Sequence, residues 1–216
     1  MEREKTVKLL SINVGIPREV EDKGRLVTTS IFKDPVDGPV MVRELNIDGD
    51  RQSDLRTHGG PYKAVYAYPY EHYTTWQHEL GRDDFVYGQF GENLTVTGLL
   101  ETDVYVGNIY RIGGAVLQIT QPRVPCFKLN IRMGDPMFSK FFMQSERTGF
   151  YVRVIEEGEI SPGDAITLVE KDPQQMTVRD INHLLYFEPD PYLAERALQI
   201  EALSPGWRGS FEEMLV

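Results

Sequence analysis

The chain has little cysteine. Cys126 stands alone among 216 residues, so no internal disulfide can form. One cysteine cannot build a structural zinc site, and the four histidines show no zinc-ligand spacing. Long apolar runs are also missing, since no stretch approaches the roughly 18 residues of a membrane span. The first residues carry mixed charge, unlike a signal peptide. We therefore expect a cytoplasmic protein that does not enter a membrane.

Positive charge is scarce as well. The chain has 23 Lys and Arg residues against 33 Asp and Glu, which gives a formal net charge of −10. This balance argues against binding to a nucleic-acid polymer, which requires surplus cations. Residues 104–134, however, contain no Asp or Glu, and they include the basic residues Arg111, Arg123, Lys128 and Arg132. A local positive site within an acidic protein indicates a small anionic ligand.

Short strands dominate the structure predicted for residues 1–170. Apolar or alternating runs bounded by turn residues predict strands, and Gly113-Gly114 between two such runs predicts a hairpin. The predicted strands cover residues 7–13, 27–32, 40–45, 109–112, 115–120, 151–156 and 165–169. Helical spacing of aromatic and Met side chains predicts two inserted helices, at 70–80 and 136–144. The pattern is typical of a mostly β, barrel-like domain.

After about residue 170 the pattern changes to helices. Thr177 can cap a helix at 178–186, and Pro191 can begin a second helix that reaches residue 200. Ser204-Pro205 begins a third segment that reaches residue 215. A unit of roughly 45 residues is small for independent folding, so we expect it to pack on the β domain. The predicted boundaries are 1–170 for the β domain and 171–216 for a C-terminal three-helix unit.

The strongest candidate for chemistry is the stretch at 121–129, QPRVPCFKL, which follows a predicted strand. Two prolines restrict its backbone, as expected for a rigid loop. A lone cysteine is most often a small buried hydrophobe. Here Arg123 and Lys128 flank Cys126, and nearby cations lower the pKa of a thiol towards the reactive thiolate. A thiolate is a soft ligand, so Cys126 is a candidate metal ligand as well as a candidate nucleophile.

Two further stretches carry candidate binding residues. Residues 48–66 are polar, and Gly59-Gly60 allows the backbone to approach a ligand closely. The side chains of this stretch that can bind phosphate are Arg51, Arg56, His58 and Lys63. Residues 90–95 form a Gly-Glu-Asn turn before a strand, where the amide of Asn93 can cap a turn or contact a heterocycle. An ordinary structural role stays open for both stretches.

Several enzyme classes lack support in the sequence. It contains no P-loop, no Gly-x-Gly-x-x-Gly fingerprint and no Gly-x-Ser-x-Gly elbow. A cofactor-free cysteine hydrolase needs a base beside Cys126, and His58 is the natural candidate. Sequence alone leaves this pairing open.

Taken together, the three stretches resemble the MOSC domain, the family named for the C-terminal domain of molybdenum cofactor sulfurases. The similar segments are RQSD at 51–54 leading to HGG at 58–60, YPYEHY at 68–73, FGENL at 90–94 and QPRVPCFKL at 121–129. Their order and the helical tail are similar to the YiiM-like branch, whose members carry a three-helix unit after the MOSC domain. The resemblance covers nearly the whole chain.

The resemblance implies a mostly β, barrel-like fold with a funnel at the motif loops. It implies that Cys126 binds the molybdenum of a pterin cofactor, the molybdenum cofactor. For the YiiM-like branch it implies reduction of N-hydroxylated bases such as 6-N-hydroxylaminopurine, with electrons from an external reductase. The alternative is a cofactor or sulfur carrier that holds a persulfide on Cys126 without turnover. The candidate cofactor contacts are Arg51, Gln52, Asp54, His58, Gly59, Gly60, Lys63, Asn93, Gln121, Arg123 and Lys128.

Overall fold

The computed structural model describes residues 7–216 and consists mainly of short strands. In chain order the strands are β1 Lys8–Val14, β2 Arg18–Asp22, β3 Arg25–Thr29, β4 Asp34–Val36, β5 Val40–Arg43, β6 Asn46–Ile47, β7 Val65–Pro69, β8 Leu94–Thr97, β9 Ile109–Ile112, β10 Ala115–Pro122, β11 Phe150–Glu156, β12 Gly158–Ile160 and β13 Ile166–Glu170. The helices are α1 Leu55–His58, α2 Glu71–Leu80, α3 Phe127–Met133, α4 Phe138–Gln144, α5 Val178–Tyr186, α6 Pro191–Ala197 and α7 Pro205–Met214. A 3₁₀ turn covers Pro61–Lys63.

The largest element is an eight-stranded sheet with the order β13-β9-β10-β11-β7-β8-β1-β4. Its neighbours are antiparallel except β7 and β8, which are parallel and therefore need a crossover connection. Helix α2 lies in that connection. The expected mostly β fold is confirmed. Closure into a barrel stays a prediction, because β1 and the start of β13 meet through an isolated bridge, Lys8 to Ala165, and not through a ladder.

One hydrophobic core joins the sheet to the C-terminal helices. Leu117 and Ile119 of β10 are buried in the same cluster as Val178 of α5 and Phe211 of α7. The backbone N–H of Val178 also donates to the carbonyl of Val104 at 2.8 Å. The tail therefore packs on the β domain, as its small size suggested. The predicted boundary at residue 170 stays a prediction.

A second, aromatic cluster lies under the motif loops. Tyr68 of β7, Trp76 of α2 and Phe142 of α4 are buried in it together with Phe90. The rings of Trp76 and Phe142 stack with centroids 5.9 Å apart. The aromatic spacing that predicted α2 and α4 thus reflects core packing, and both helices are confirmed with starts one or two residues later than expected.

The tail helices begin where the sequence predicted. Thr177 and Asp180 form a capping box: the Thr177 hydroxyl accepts from the Asp180 N–H, and the Asp180 carboxylate accepts from the Thr177 N–H, both at 2.9 Å. Asp190 caps α6, whose first residue is Pro191. No helix among residues 7–216 is long and apolar enough to cross a membrane.

The sequence prediction differs from the structure around Cys126. The stretch at 121–129, expected to be a loop, ends β10 at Pro122 and begins α3 at Phe127. The two prolines indicated an irregular segment after the strand. The segment between β10 and α3 is indeed irregular, but it is only four residues long. The ribbon of β2 with β3 and the buried strand β7 were also not predicted.

Candidate functional site

Cys126 lies immediately before the first residue of α3, in extended backbone with φ −123° and ψ 170°. At this N-cap position the thiol lies beside N–H groups of the first helical turn, which favour a negatively charged sulfur. The backbone N–H of Lys128 contributes in this way. The fold therefore places the single cysteine where its thiolate is stabilised.

The ionisation of Cys126 depends on two other side chains. Burial raises the pKa of the thiol, but a hydrogen bond with His58 and the charges of Arg123 and His58 outweigh burial. The net result is a pKa lowered to about 7. About half of the thiol is then ionised at neutral pH, which suits a soft metal ligand or a nucleophile. The structure thus brings together the Cys–His pair that the sequence left open.

Arg123 is a buried cation with unused hydrogen-bonding capacity. It is 5% exposed, and its guanidinium carbon lies 4.9 Å from the ring centroid of Tyr66 and 5.4 Å from that of Phe142. Burial opposes its charge, but Tyr66, Tyr151 and Cys126 together raise the pKa of Arg123, so it stays charged. Its Nη1 has no hydrogen-bond partner among the described residues. A buried donor of this kind is suited to an acceptor on a ligand.

Two connected cavities meet at Cys126. The inner cavity, of about 90 Å³, includes Arg123, Asn93 and Gln52 in its lining. The outer groove, of about 770 Å³, includes Gln121 and residues of the C-terminal helices. The residues that line both are His58, Lys63, Cys126, Lys128 and Tyr151. The outer groove has the volume of typical ligand sites, roughly 300–1,000 Å³, whereas the inner cavity by itself is too small for a cofactor.

Four of the predicted contacts line the outer groove without lining the inner cavity: Asp54, Gly59, Gly60 and Gln121. The Asp54 carboxylate accepts the backbone N–H of Arg56 at 3.1 Å and so caps α1. Gly60 has a φ of 92°, a conformation that favours glycine. Gln121 is 2% exposed, and its Oε1 has no partner within the described part of the chain. Gln121 and Arg123 therefore present one acceptor and one donor that the protein leaves unused.

The cations of the 48–66 stretch divide into two groups. His58 and Lys63 line both cavities, and burial lowers the pKa of Lys63. Arg51 is exposed and lines neither cavity, while its backbone N–H donates to the Gly15 carbonyl at 2.9 Å. The ammonium of Lys128 donates to Ser53 Oγ at 3.0 Å and so joins two motif stretches.

Asn93 lies at the inner cavity, but its amide is used by the sheet. Its Oδ1 accepts the N–H of Tyr66 at 3.2 Å, and its Nδ2 donates to the Asn13 carbonyl at 3.3 Å. The Asn93 side chain thus connects β7 and β1 at the point where β8 begins. The structural alternative named for this turn accounts for the contacts of Asn93, and its predicted role at a cofactor stays a prediction.

Sequence reasoning missed a buried ion pair in the lining of the inner cavity. Lys33 and Asp50 are 7% and 3% exposed, and the ammonium donates to the carboxylate. Asp50 also accepts the N–H of Gly15 at 2.8 Å, so it anchors the segment that carries Gln52. Asp50 lies in the polar stretch at 48–66, but no local pattern in the sequence connects it to Lys33.

Aromatic residues of the site were also missed. Tyr151 lines both cavities, and Tyr186 and Trp207 of the tail line the outer groove. The spacing of aromatic side chains does not distinguish rings that face the core from rings that face a cavity, and only the fold shows this difference.

The described residues contain no cluster of three or more His, Cys, Asp or Glu side chains that could hold a metal ion. A metal carried by a bound cofactor could take Cys126 as its protein ligand. The Cys126 thiol with its lowered pKa, the unused Gln121 Oε1 and the unused Arg123 Nη1 fit such an arrangement.

Comparison with known proteins identifies two family models. The model described as the MOSC domain matches residues 54–167, and the model described as a YiiM-like, 3-alpha helix domain matches residues 176–215. A protein named YflK of Bacillus subtilis (strain 168) is 41% identical over 210 residues, which is 97% of this chain and 95% of YflK.

A solved structure supports the same relationship. YiiM from Geobacillus stearothermophilus has a TM-score of 0.83 and 39% identity, with 97% of this chain and 100% of that chain covered. A protein of Gibberella moniliformis (strain M3125 / FGSC 7600) named "Reductase" is 34% identical over 165 residues. That match covers 75% of this chain but 29% of the fungal protein.

Proposed function

The chain belongs to the MOSC family and carries the YiiM-like three-helix unit, and from this premise we propose that it is a molybdenum cofactor-dependent reductase of N-hydroxylated bases. The observation that carries the proposal is the position of Cys126, whose thiol has a lowered pKa and lies where the two cavities meet. The MOSC family is associated with the molybdenum cofactor, and one relative is named a reductase. 6-N-hydroxylaminopurine represents the proposed substrate class.

The residues around Cys126 suit the parts of such a cofactor. A thiolate is a soft ligand and suits molybdenum. The Gln121 Oε1 can accept from a pterin N–H, and the Arg123 Nη1 can donate to a pterin acceptor. Lys63 and Lys128, which line both cavities, can neutralise a terminal phosphate. Each contact uses a group whose position the fold has already fixed.

The reaction balances as one N–OH group, two electrons and two protons giving one N–H group and one water. When bound, the cofactor supplies the two-electron redox chemistry. The protein supplies the Cys126 anchor, the Arg123 charge beside it and a groove that orients the base. The sequence has no haem, flavin or nicotinamide motif, so the electrons come from an external reductase, which we place with this protein in the cytoplasm.

Product analysis tests the proposed reaction. Protein purified from a cofactor-producing host is supplied with a chemical electron donor and 6-N-hydroxylaminopurine, and adenine is measured by chromatography. We expect turnover with wild type and none with Cys126→Ala. Wild type that contains the cofactor but forms no adenine would refute the reductase function.

A carrier function is the second candidate, because the Cys126 thiolate can attack the outer sulfur of a donor protein's persulfide, forming a persulfide on Cys126 while the donor leaves as its thiolate. It predicts that intact protein gains the mass of one sulfur atom, that this mass is lost in Cys126→Ala, and that the protein has no turnover.

A cofactor-free hydrolase is the third candidate, supported by the hydrogen bond between His58 and Cys126. It predicts ester hydrolysis by cofactor-free protein that disappears in both Cys126→Ala and His58→Ala. Hydrolysis that persists in either variant would count against it.

A further inference from the structure

The outer groove extends from Cys126 to the C-terminal three-helix unit. Its tail side is formed by the end of α5 and the first turns of α7, and includes Tyr186, Ser204, Trp207 and Ser210. The tail thus shares a cavity with Cys126 and does more than support the β domain. A molecule bound in this groove beside Cys126 can therefore contact these residues.

The tail side of the groove is aromatic. Tyr186 is 47% exposed, whereas Trp207 is 5% exposed and belongs to the core. Their rings meet edge to face, with centroids 5.9 Å apart and an interplanar angle of 86°. The buried Trp207 therefore holds the exposed Tyr186 in place. Phe127, which is 53% exposed, adds a third ring from the MOSC part of the same groove. Rings placed in this way are suited to stacking with a planar ligand.

The tail side of the groove is also uncharged. The described cations of the groove, His58, Lys63 and Lys128, all come from the MOSC part. Arg208 follows Trp207, but its guanidinium donates to the carbonyls of Ile200 and Leu198 at 3.0 and 2.9 Å and serves the tail itself. A substrate phosphate would therefore find no cation on the tail side.

We propose that the C-terminal helices form the recognition wall for the substrate, with Tyr186 stacking on an uncharged heteroaromatic base or nucleoside. The inference rests on the proposed reductase function, because it takes the reacting group to be the one presented to Cys126. It adds a role for the three-helix unit and a preference for the base over its 5′-monophosphate. Tyr186 is a specificity-determining residue in this account and touches the ring of the substrate, not the reacting N–OH group.

Tryptophan fluorescence measures this binding without turnover. Trp207 lines the groove, while Trp76 is buried in the aromatic cluster around Phe142. The holoprotein is titrated with 6-N-hydroxylaminopurine. We expect quenching that Trp207→Phe removes. Tyr186→Ala should raise the Kd about tenfold, equivalent to about 1.4 kcal/mol, because one stacking contact is lost.

Two variants control for other effects. Tyr186→Phe keeps the ring and should bind within about twofold of wild type. Tyr192→Ala removes another tail tyrosine, 75% exposed on α6 and outside the groove lining, and should leave the Kd unchanged. A wild-type Kd in Tyr186→Ala, or an equal loss in Tyr192→Ala, would overturn the recognition wall. A 5′-monophosphate that binds as tightly as the base would overturn the preference for an uncharged substrate.

The outcomes separate this inference from the proposed reaction. If wild type binds the base with the expected Tyr186 dependence but never reduces it, the reductase function fails and the recognition wall stands. If wild type reduces the base and Tyr186→Ala changes neither Kd nor KM, the wall fails and the reductase function stands.

Discussion

Replacing His58 with alanine should raise the pKa of Cys126 from about 7 to about 8.5, the ordinary value of a cysteine. Two contributions disappear with the imidazole, namely its hydrogen bond to the thiol and its charge. In the variant, burial still raises the pKa of the thiol. The charge of Arg123 and the backbone N–H of Lys128 still lower it. Because these remaining effects oppose each other, we take the ordinary pKa of a cysteine, about 8.5, as the value expected for the variant.

The size of the effect follows from these two pKa values. At pH 7 the ionised fraction should fall from about one half to about 3%, a difference of about 2 kcal/mol in thiolate stabilisation. The lowered pKa of Cys126 also contributes to the stability of the folded chain. Because the pKa of Cys126 is lower in the folded chain, its stabilising contribution is present above the unfolded pKa near 8.5 and is lost as the pH falls through about 7.

Alkylation kinetics measure this pKa directly, since Cys126 is the single thiol of the chain. Cofactor-free protein is treated with iodoacetamide over a pH series that brackets neutrality, and modification is followed by intact mass. His78→Ala is the matched control, because His78 is an exposed residue on α2 and lines neither cavity. A pKa that stays near 7 in His58→Ala would refute the role assigned to His58.

Three further substitutions test the supporting structure. Lys33→Met leaves Asp50 buried without its cation and should lower the free energy of unfolding by about 3 kcal/mol in urea denaturation. Thr177→Ala removes one half of the capping box with Asp180 and should lower the same quantity by about 1 kcal/mol. Arg123→Met keeps most of the buried volume but removes the charge and the unused donor, so it should raise the pKa of Cys126 and reduce molybdenum content about tenfold.

For each of these three substitutions, a specific result would contradict the expectation. Unchanged stability in Lys33→Met would show that the ion pair adds nothing beyond an apolar contact. Thr74→Ala, at an exposed position of α2, controls for the loss of a threonine, and an equal effect there would exclude capping as the cause. Full molybdenum content in Arg123→Met would remove Arg123 from the cofactor site.

The helical tail was predictable because its signals are local. The capping box of Thr177 and the Pro191 start of α6 lie within a few residues of the helices they begin. The helix α3 was not predicted, because Pro122 and Pro125 indicated a loop that in fact ends directly before Phe127. The expected strand at 27–32 is shifted to Arg25–Thr29 because it pairs with β2, a contact that single-sequence patterns do not contain.

The candidate site was predictable only where chemistry is marked by rare residue types. Cys126, Arg123 and Lys128 stand out in an acid-free stretch, and they line connected cavities. Asn93 carried a similar polar signal, yet its amide is used within the sheet. The contributions of Tyr151 and Tyr186 required the fold, since both come from elements far from Cys126 in sequence.

Metal analysis of wild type against Cys126→Ala tests the central claim most directly. Both proteins are purified from the same cofactor-producing host, and molybdenum and pterin are measured per chain. We expect close to one molybdenum and one pterin per wild-type chain. In Cys126→Ala the molybdenum should be lost while the fold, followed by circular dichroism, is kept. Molybdenum retained in full by Cys126→Ala would contradict the account of Cys126 as the metal ligand.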